Sequence, residues 1–167
     1  RADVLEGLAC NADEYENQVF GTVFQIVTSS RAAIEVCRET FGIKEGYLKL
    51  FVLDSTDPKT ILDIEKNIDI SKTLFIVSSK SGGTIEVDSF FRYFFDKVKQ
   101  VIPENPGRHF AAITDPDTML QKIANENNFR KIFNNPADIG GRYSALSYFG
   151  LVPAALIGID IRKFLKN

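Results

Sequence analysis

Four short runs constrain this chain more than anything else in it. VFQIV (Val23–Val27), LKLFVL (Leu48–Leu53), TLFIVSS (Thr73–Ser79) and HFAAIT (His109–Thr114) are almost unbroken in β-branched and aromatic residues, and a stretch of helical pattern follows each. A strand apolar on both faces has to be covered above and below, as it is in a parallel sheet. Alternation with helices therefore predicts an α/β fold of three αβα layers, with a mainly parallel five-stranded sheet wound as in flavodoxin-like domains. The expected strands are Val19–Val27, Leu48–Leu53, Thr73–Ser78, His109–Ile113 and Lys131–Phe133. Right-handed crossovers then carry every loop that follows a strand to one edge of the sheet.

The helical segments have readable signals. Ala2 to about Tyr15 reads as a polar N-terminal helix, and Arg31–Thr40 follows the first strand. Asp57 can cap a helix whose first position is Pro58, where a missing N–H costs nothing, and which runs to about Asn67. Thr84 opens the longest helix. Its Val87, Phe90, Phe91, Phe94 and Val98 recur on one face, a stripe that reads as core rather than as a cofactor site. Pro116 and Asp117 are expected to begin another helix, to about Asn125. Ser144 is expected to begin the last main one, through Ile159, with a kink at Pro153. Pro103–Gly107 is a turn cluster, and no repeat or long linker divides the 167 residues, so a single domain is expected.

Composition excludes several functions. The net charge is −2, and no basic run is interleaved with aromatics, so nucleic acid is not an expected partner. Cys10 and Cys37 have neither CxxC spacing nor a histidine partner, and no metal site is expected. The most apolar stretch, Leu151–Ile159, is about half the length that crosses a bilayer and contains Pro153. No apolar signal segment opens the chain, and a cytoplasmic location is expected. Because the sequence starts at Arg1 rather than Met, it is expected to be a piece of something longer.

The chemistry concentrates in Ser79-Lys80-Ser81-Gly82-Gly83-Thr84, between a buried strand and the longest helix. A helix N-terminus offers unbonded N–H groups and partial positive charge, so it favours an anion. Gly82 and Gly83 allow close backbone approach, while Ser79, Ser81 and Thr84 add hydroxyl donors and Lys80 a cation. An ordinary Ser/Gly turn with Thr84 as a simple cap fits the same residues. The loop is neither a Walker A sequence nor a dinucleotide fingerprint. Asp54, placed where a ribose-binding acid would stand, has no glycine fingerprint to support it.

These residues carry a resemblance. Ser79–Thr84 is similar to the S-x-S-G-x-T phosphate loop of sugar-isomerase (SIS) domains. Asp138-Ile139-Gly140-Gly141-Arg142-Tyr143-Ser144 resembles the first signature of glucose-6-phosphate isomerases. Leu53–Pro58 and Asn134–Asp160 are similar too, most of all to the isomerase half of bacterial fusions with transaldolase.

The resemblance implies a sugar phosphate as partner, glucose 6-phosphate or fructose 6-phosphate, interconverted through a cis-enediolate without metal or organic cofactor. It implies that Ser79–Thr84 hold the phosphate, that Arg142 stabilises the enediolate, and that Gly141 passes close to the sugar. Without it, a surface ion pair with Asp138 also fits Arg142. The family's base, histidine and lysine lie C-terminal to Asn167, so this chain by itself is expected to be inactive and its intact parent a homodimer. One departure stands out: the family's Gly-Gly-Ser turn after the first strand is here Thr28-Ser29-Ser30-Arg31. Ser30 keeps a hydroxyl for the substrate, whereas Ser29 replaces a glycine. A non-catalytic sugar-phosphate-binding module is the alternative. Glu86 and Asp88 read as solvated or supporting acids, and His109 as structural.

Overall fold

The computed structural model describes residues 20–27, 35 and 38–166, and at Arg142 the backbone. Its five strands are β1 (Thr22–Val27), β2 (Lys49–Leu53), β3 (Thr73–Ser78), β4 (Phe110–Thr114) and β5 (Lys131–Asn134). All pair in parallel, in the order β2-β1-β3-β4-β5. Every residue of β3 and β4 is buried, which explains why their sequences run apolar without alternation.

Side chains still alternate between the faces. Phe24, Ile26, Phe75, Val77, Phe110 and Ala112 point into one core, with residues of α1 (Pro58–Asn67), α2 (Ile85–Val101) and α3 (Met119–Glu126). Val23, Ile76 and Ile113 point into the other, against α4 (Tyr148–Leu156) and α5 (Ile161–Phe164). The α2 stripe fills the first core as its spacing predicts. Phe94 is fully buried, with its ring 4.9 Å from that of Phe24 and 5.2 Å from that of Phe75. Burying one such ring stabilises by about 1.5–3 kcal/mol, so this aromatic cluster is a main anchor of the layer.

The Asp57 cap is present, its carboxylate accepting from Thr60 N at 3.0 Å with Pro58 at the first helical position. Two other helix starts differ from expectation. Asp117 takes a left-handed conformation (φ 61°), so Pro116 and Asp117 form a turn, and α3 begins at Met119 behind a Thr118 cap. An acid tolerates that conformation, and a threonine hydroxyl can accept from the first turn. The last main helix, α4, begins at Tyr148 rather than Ser144. A 3-10 turn, Gly141–Leu146, comes first, and the Ser147 hydroxyl accepts from Phe149 N at 3.4 Å. Gly150 makes this join possible, because a Cβ there would stand 2.1 Å from the Ala145 carbonyl oxygen.

Pro153 lies inside α4 and withdraws the donor that the Phe149 carbonyl would otherwise receive. The side chain of Gln25, buried in β1, reaches that carbonyl at 3.5 Å and also donates to Ser78 Oγ at 3.1 Å. Helix α4 ends at Leu156 and Gly158 turns left-handed (φ 93°), short of the expected Ile159. His109 closes a 3-10 turn instead of opening β4. The expected Ala2–Tyr15 helix, Val19 and most of Arg31–Thr40 lie outside the described residues, although Glu35 and residues 38–41 are helical. Among the described residues no helix is long and apolar enough to cross a membrane.

Candidate functional site

Strand order fixes where a ligand can enter. The chain leaves β1 for β2 on one side and returns past it to β3 on the other, so the loops diverge at the carboxyl end of β1. In open α/β sheets that divergence leaves a crevice in which ligands bind. Here it holds a cavity of about 500 Å³, lined by Val27, the Asp54–Thr56 loop after β2, and Thr84, Glu86 and Phe90 at the start of α2.

Of the Ser79–Thr84 loop only Thr84 lines this cavity, and the loop's residues have distinct tasks. Ser79 is buried. Its N–H donates to the Ile113 carbonyl at 3.0 Å, and its hydroxyl accepts from Gly82 N at 3.1 Å. The same hydroxyl lies 3.1 Å from Thr84 Oγ1. Thr84 occupies the cap position of α2, but its side chain turns to Ser79 instead of capping. Among the described residues no side chain therefore caps the first turn of this 17-residue helix, and its N–H groups are available to an anion. Asp88, in that turn, is bonded to Arg92 at 2.7 Å, while Glu86 is exposed beside the cavity.

The two glycines are not equivalent. Gly82 is left-handed (φ 67°), and a Cβ there would stand 2.6 Å from Thr118 Cβ, so it serves loop packing against the α3 cap. Among the described residues nothing lies within 4 Å of where a Cβ of Gly83 would be, which leaves open space above the start of α2. Ser81 is exposed there, its hydroxyl 3.5 Å from Gly83 N. Ser81, Gly83 and the first turn of α2 thus converge on one accessible point, with Ser79 bracing from below.

Lys80 goes elsewhere. Its ammonium donates to the Asp115 carboxylate and, at 3.2 Å, to the Ala137 carbonyl. Gly141 and Arg142 lie at the start of the 3-10 turn that follows β5, with Gly140 before them. Ser29 and Ser30 lie outside the described residues. His109 is at the amino edge of the sheet, away from these loops. Its Nδ1 is 3.1 Å from the Thr73 carbonyl oxygen and its ring is edge-on to Phe20. Burial holds its pKa below the usual 6.5, as suits a structural imidazole.

Sequence reasoning did not single out Asp115, Thr118 or Ala137. Asp115 carried a usable signal: it is the first residue after β4, at the edge where functional loops gather. The Thr118 and Ala137 contacts join loops distant in sequence, and nothing local marks them. No group of three or more metal-ligating side chains occurs among the described residues.

Comparisons with known proteins point in one direction. A model of the phosphoglucose isomerase family matches residues 26–167. A glucose-6-phosphate isomerase of Campylobacter jejuni is 35% identical over 127 residues, 76% of this chain and 31% of that protein. One from Prochlorococcus marinus is 33% identical, over 99% of this chain and 32% of that protein. The chain thus spans about a third of the length of the curated relatives it matches. A crystal structure of a hypothetical protein from Thermus thermophilus superposes with a TM-score of 0.81 at 30% identity, over 88% of this chain and 35% of that one. A Chlamydia trachomatis glucose-6-phosphate isomerase shares the fold, with a TM-score of 0.75 at 24% identity over 88% of this chain and 28% of that one.

Proposed function

The chain belongs to the phosphoglucose isomerase family, and from that premise we propose that residues 1–167 are the sugar-phosphate-binding domain of an aldose–ketose isomerase. Its substrates are glucose 6-phosphate and fructose 6-phosphate. The carrying observation is the uncapped start of α2 beneath open space at Gly83, with the Ser81 hydroxyl beside it. A phosphate dianion accepts many hydrogen bonds, and backbone N–H groups at a helix start meet it without a basic side chain.

In this proposal Ser79–Thr84 cradle the 6-phosphate. Ser79 shapes the turn, Gly82 packs it, and Lys80 contributes its backbone alone, its ammonium being bonded to Asp115 and Ala137. Ser29 and Ser30, which follow β1 in sequence, are proposed to add hydroxyl contacts to the substrate. Isomerisation then moves a proton between C2 and C1 of the open-chain sugar through a cis-enediolate. Arg142 stabilises the charge that develops, because guanidinium stays ionised and offers paired donors to adjacent oxygens. Gly141 lets the backbone pass beside the sugar. The step requires neither metal nor organic cofactor. Action as a cytoplasmic homodimer belongs to the same proposal and rests on family likeness alone. A non-catalytic sugar-phosphate module is the second reading, favoured by Thr28–Arg31, where the family's two glycines are missing.

The test is Ser81→Ala combined with Thr84→Ala, measured by calorimetric titration. Each hydrogen bond to a charged group is worth about 1.5–3 kcal/mol. Fructose 6-phosphate affinity should fall at least tenfold, on the basis of that range, while the weak affinity for fructose barely changes. An equal loss for both sugars would place the phosphate elsewhere.

A further inference from the structure

Lys80 stands in the proposed phosphate loop, yet its ammonium is committed to two acceptors on other loops. Asp115 is the first residue after β4, and Ala137 belongs to the segment after β5, so one side chain joins three successive loops at the carboxyl edge. The backbone reinforces the seam: Asp115 N donates to the Lys80 carbonyl at 3.3 Å, and Asn135 N to the Thr114 carbonyl at 2.7 Å. The ion pair is largely covered, with 28% of the lysine side chain and 17% of the aspartate exposed. The second oxygen of Asp115, Oδ1, is buried without a hydrogen-bond partner among the described residues. Lys80 is therefore the main counter-charge to an acid that would be costly to leave alone there.

Ala137 sits in a turn closed by Ile139 N on the Pro136 carbonyl at 3.2 Å. The next turn, Tyr143 N on the Gly140 carbonyl at 2.9 Å, frames Gly141 and Arg142. Ala137, Asp138 and Gly140 are themselves exposed, so packing does little to hold this stretch. A cation bonded to its carbonyl does. We infer that Lys80 is a positioning residue: its ammonium ties the Ser79–Thr84 loop to the segment carrying Gly141 and Arg142. Anion binding at the first then orders the second. The inference rests on the reading of Ser79–Thr84 as the phosphate loop only for that coupling, since the tie itself is present without ligand. Holding a functional group through a second residue locked by its own hydrogen bonds is a general way to keep it in productive geometry.

The experiment uses the 167-residue chain, labelled for NMR, as wild type, Lys80→Met, Lys80→Arg and Asp115→Asn. Without ligand, amide exchange at Ile139 and Tyr143 should be at least tenfold faster in Lys80→Met and Asp115→Asn. It should be largely restored in Lys80→Arg, whose cation can still bridge acid and carbonyl. Amides in α2 should exchange at wild-type rates, which separates loss of the tie from general destabilisation. If Lys80→Met fails to fold, Asp115→Asn gives the same reading with shape retained. Adding fructose 6-phosphate should shift resonances of residues 79–84 and 138–142 in the wild type, but only those of 79–84 in Lys80→Met, with affinity within about threefold.

Unchanged exchange at Ile139 and Tyr143 in Lys80→Met and Asp115→Asn would overturn the inference. So would a collapse of fructose 6-phosphate affinity in Lys80→Met with loop exchange intact, which would make the ammonium a phosphate ligand. If fructose 6-phosphate shifts neither segment in the wild type, the phosphate reading and the coupling both fall. The exchange rates would then still decide whether Lys80 positions the loop.

Discussion

His109 is the protein's only histidine, and it sits where protonation is unwelcome: 1% exposed, against Phe20, with Arg130 adding to the positive field. Burial is the larger cause of its lowered pKa, repulsion from Arg130 a smaller one, and the Thr73 carbonyl acts in the opposite direction. The unfolded chain takes up a proton near the usual 6.5 and the folded chain resists it, so the unfolded state binds more protons below that pH. The contribution is complete above 6.5 and is lost as the pH falls through the lowered folded value. Urea denaturation from about pH 8 to 5 should show stability declining only in the acidic part of that range. His109→Gln should flatten the decline. Parallel curves for the two proteins would assign it to another group. Glu65, whose pKa the Lys97 hydrogen bond lowers first and the Tyr93 hydroxyl second, acts in a separate window below its usual 4.5. Gly82 teaches a related lesson at this scale. The sequence shows that a glycine is needed in the loop, but the need comes both from its left-handed backbone (φ 67°) and from Thr118 on another element.

Helix α2 was legible because a 3.6-residue period needs no tertiary information, and its five buried residues are the five of the apolar stripe. Phe94→Ala would empty a site bounded by Phe24 and Phe75 on two strands. Large aromatic deletions in a core cost about 3–5 kcal/mol. The variant should lose that much in urea denaturation, whereas Tyr93→Ala, at the exposed neighbouring position, should lose much less. Equal losses would contradict the assignment of the stripe to the core. Helix α4 was less legible. Ser144 and Ser147 are both acceptable caps, and the choice of Ser147 depends on a 3-10 turn that Gly150 lets approach. Nor could local sequence show that Gln25 serves the carbonyl released by Pro153, since the two lie more than a hundred residues apart.

At the scale of the whole molecule, the sheet gathers the Ser79–Thr84 loop, proposed to hold phosphate, and the Gly141–Arg142 segment at one edge, while the family resemblance matches none of the described side chains to the proton-transferring base. A positioned general base contributes about 10²–10⁴-fold. The 167-residue chain should therefore bind fructose 6-phosphate weakly without converting it at a measurable rate in a coupled assay for glucose 6-phosphate. Turnover within about tenfold of an intact isomerase would place the base within this chain, with Glu86, exposed beside the cavity, the first residue to replace. The sequence by itself determined the fold class, the strand-forming runs, the main aromatic helix and the Ser/Gly loop proposed to hold phosphate. All of these are written in local periodicity and composition. Only the tertiary structure decided which strand lies beside which, why Gly82 must be glycine, and that Lys80 faces Asp115 and Ala137. Those depend on contacts between residues far apart in the chain, formed when the sheet brings their loops to a common edge.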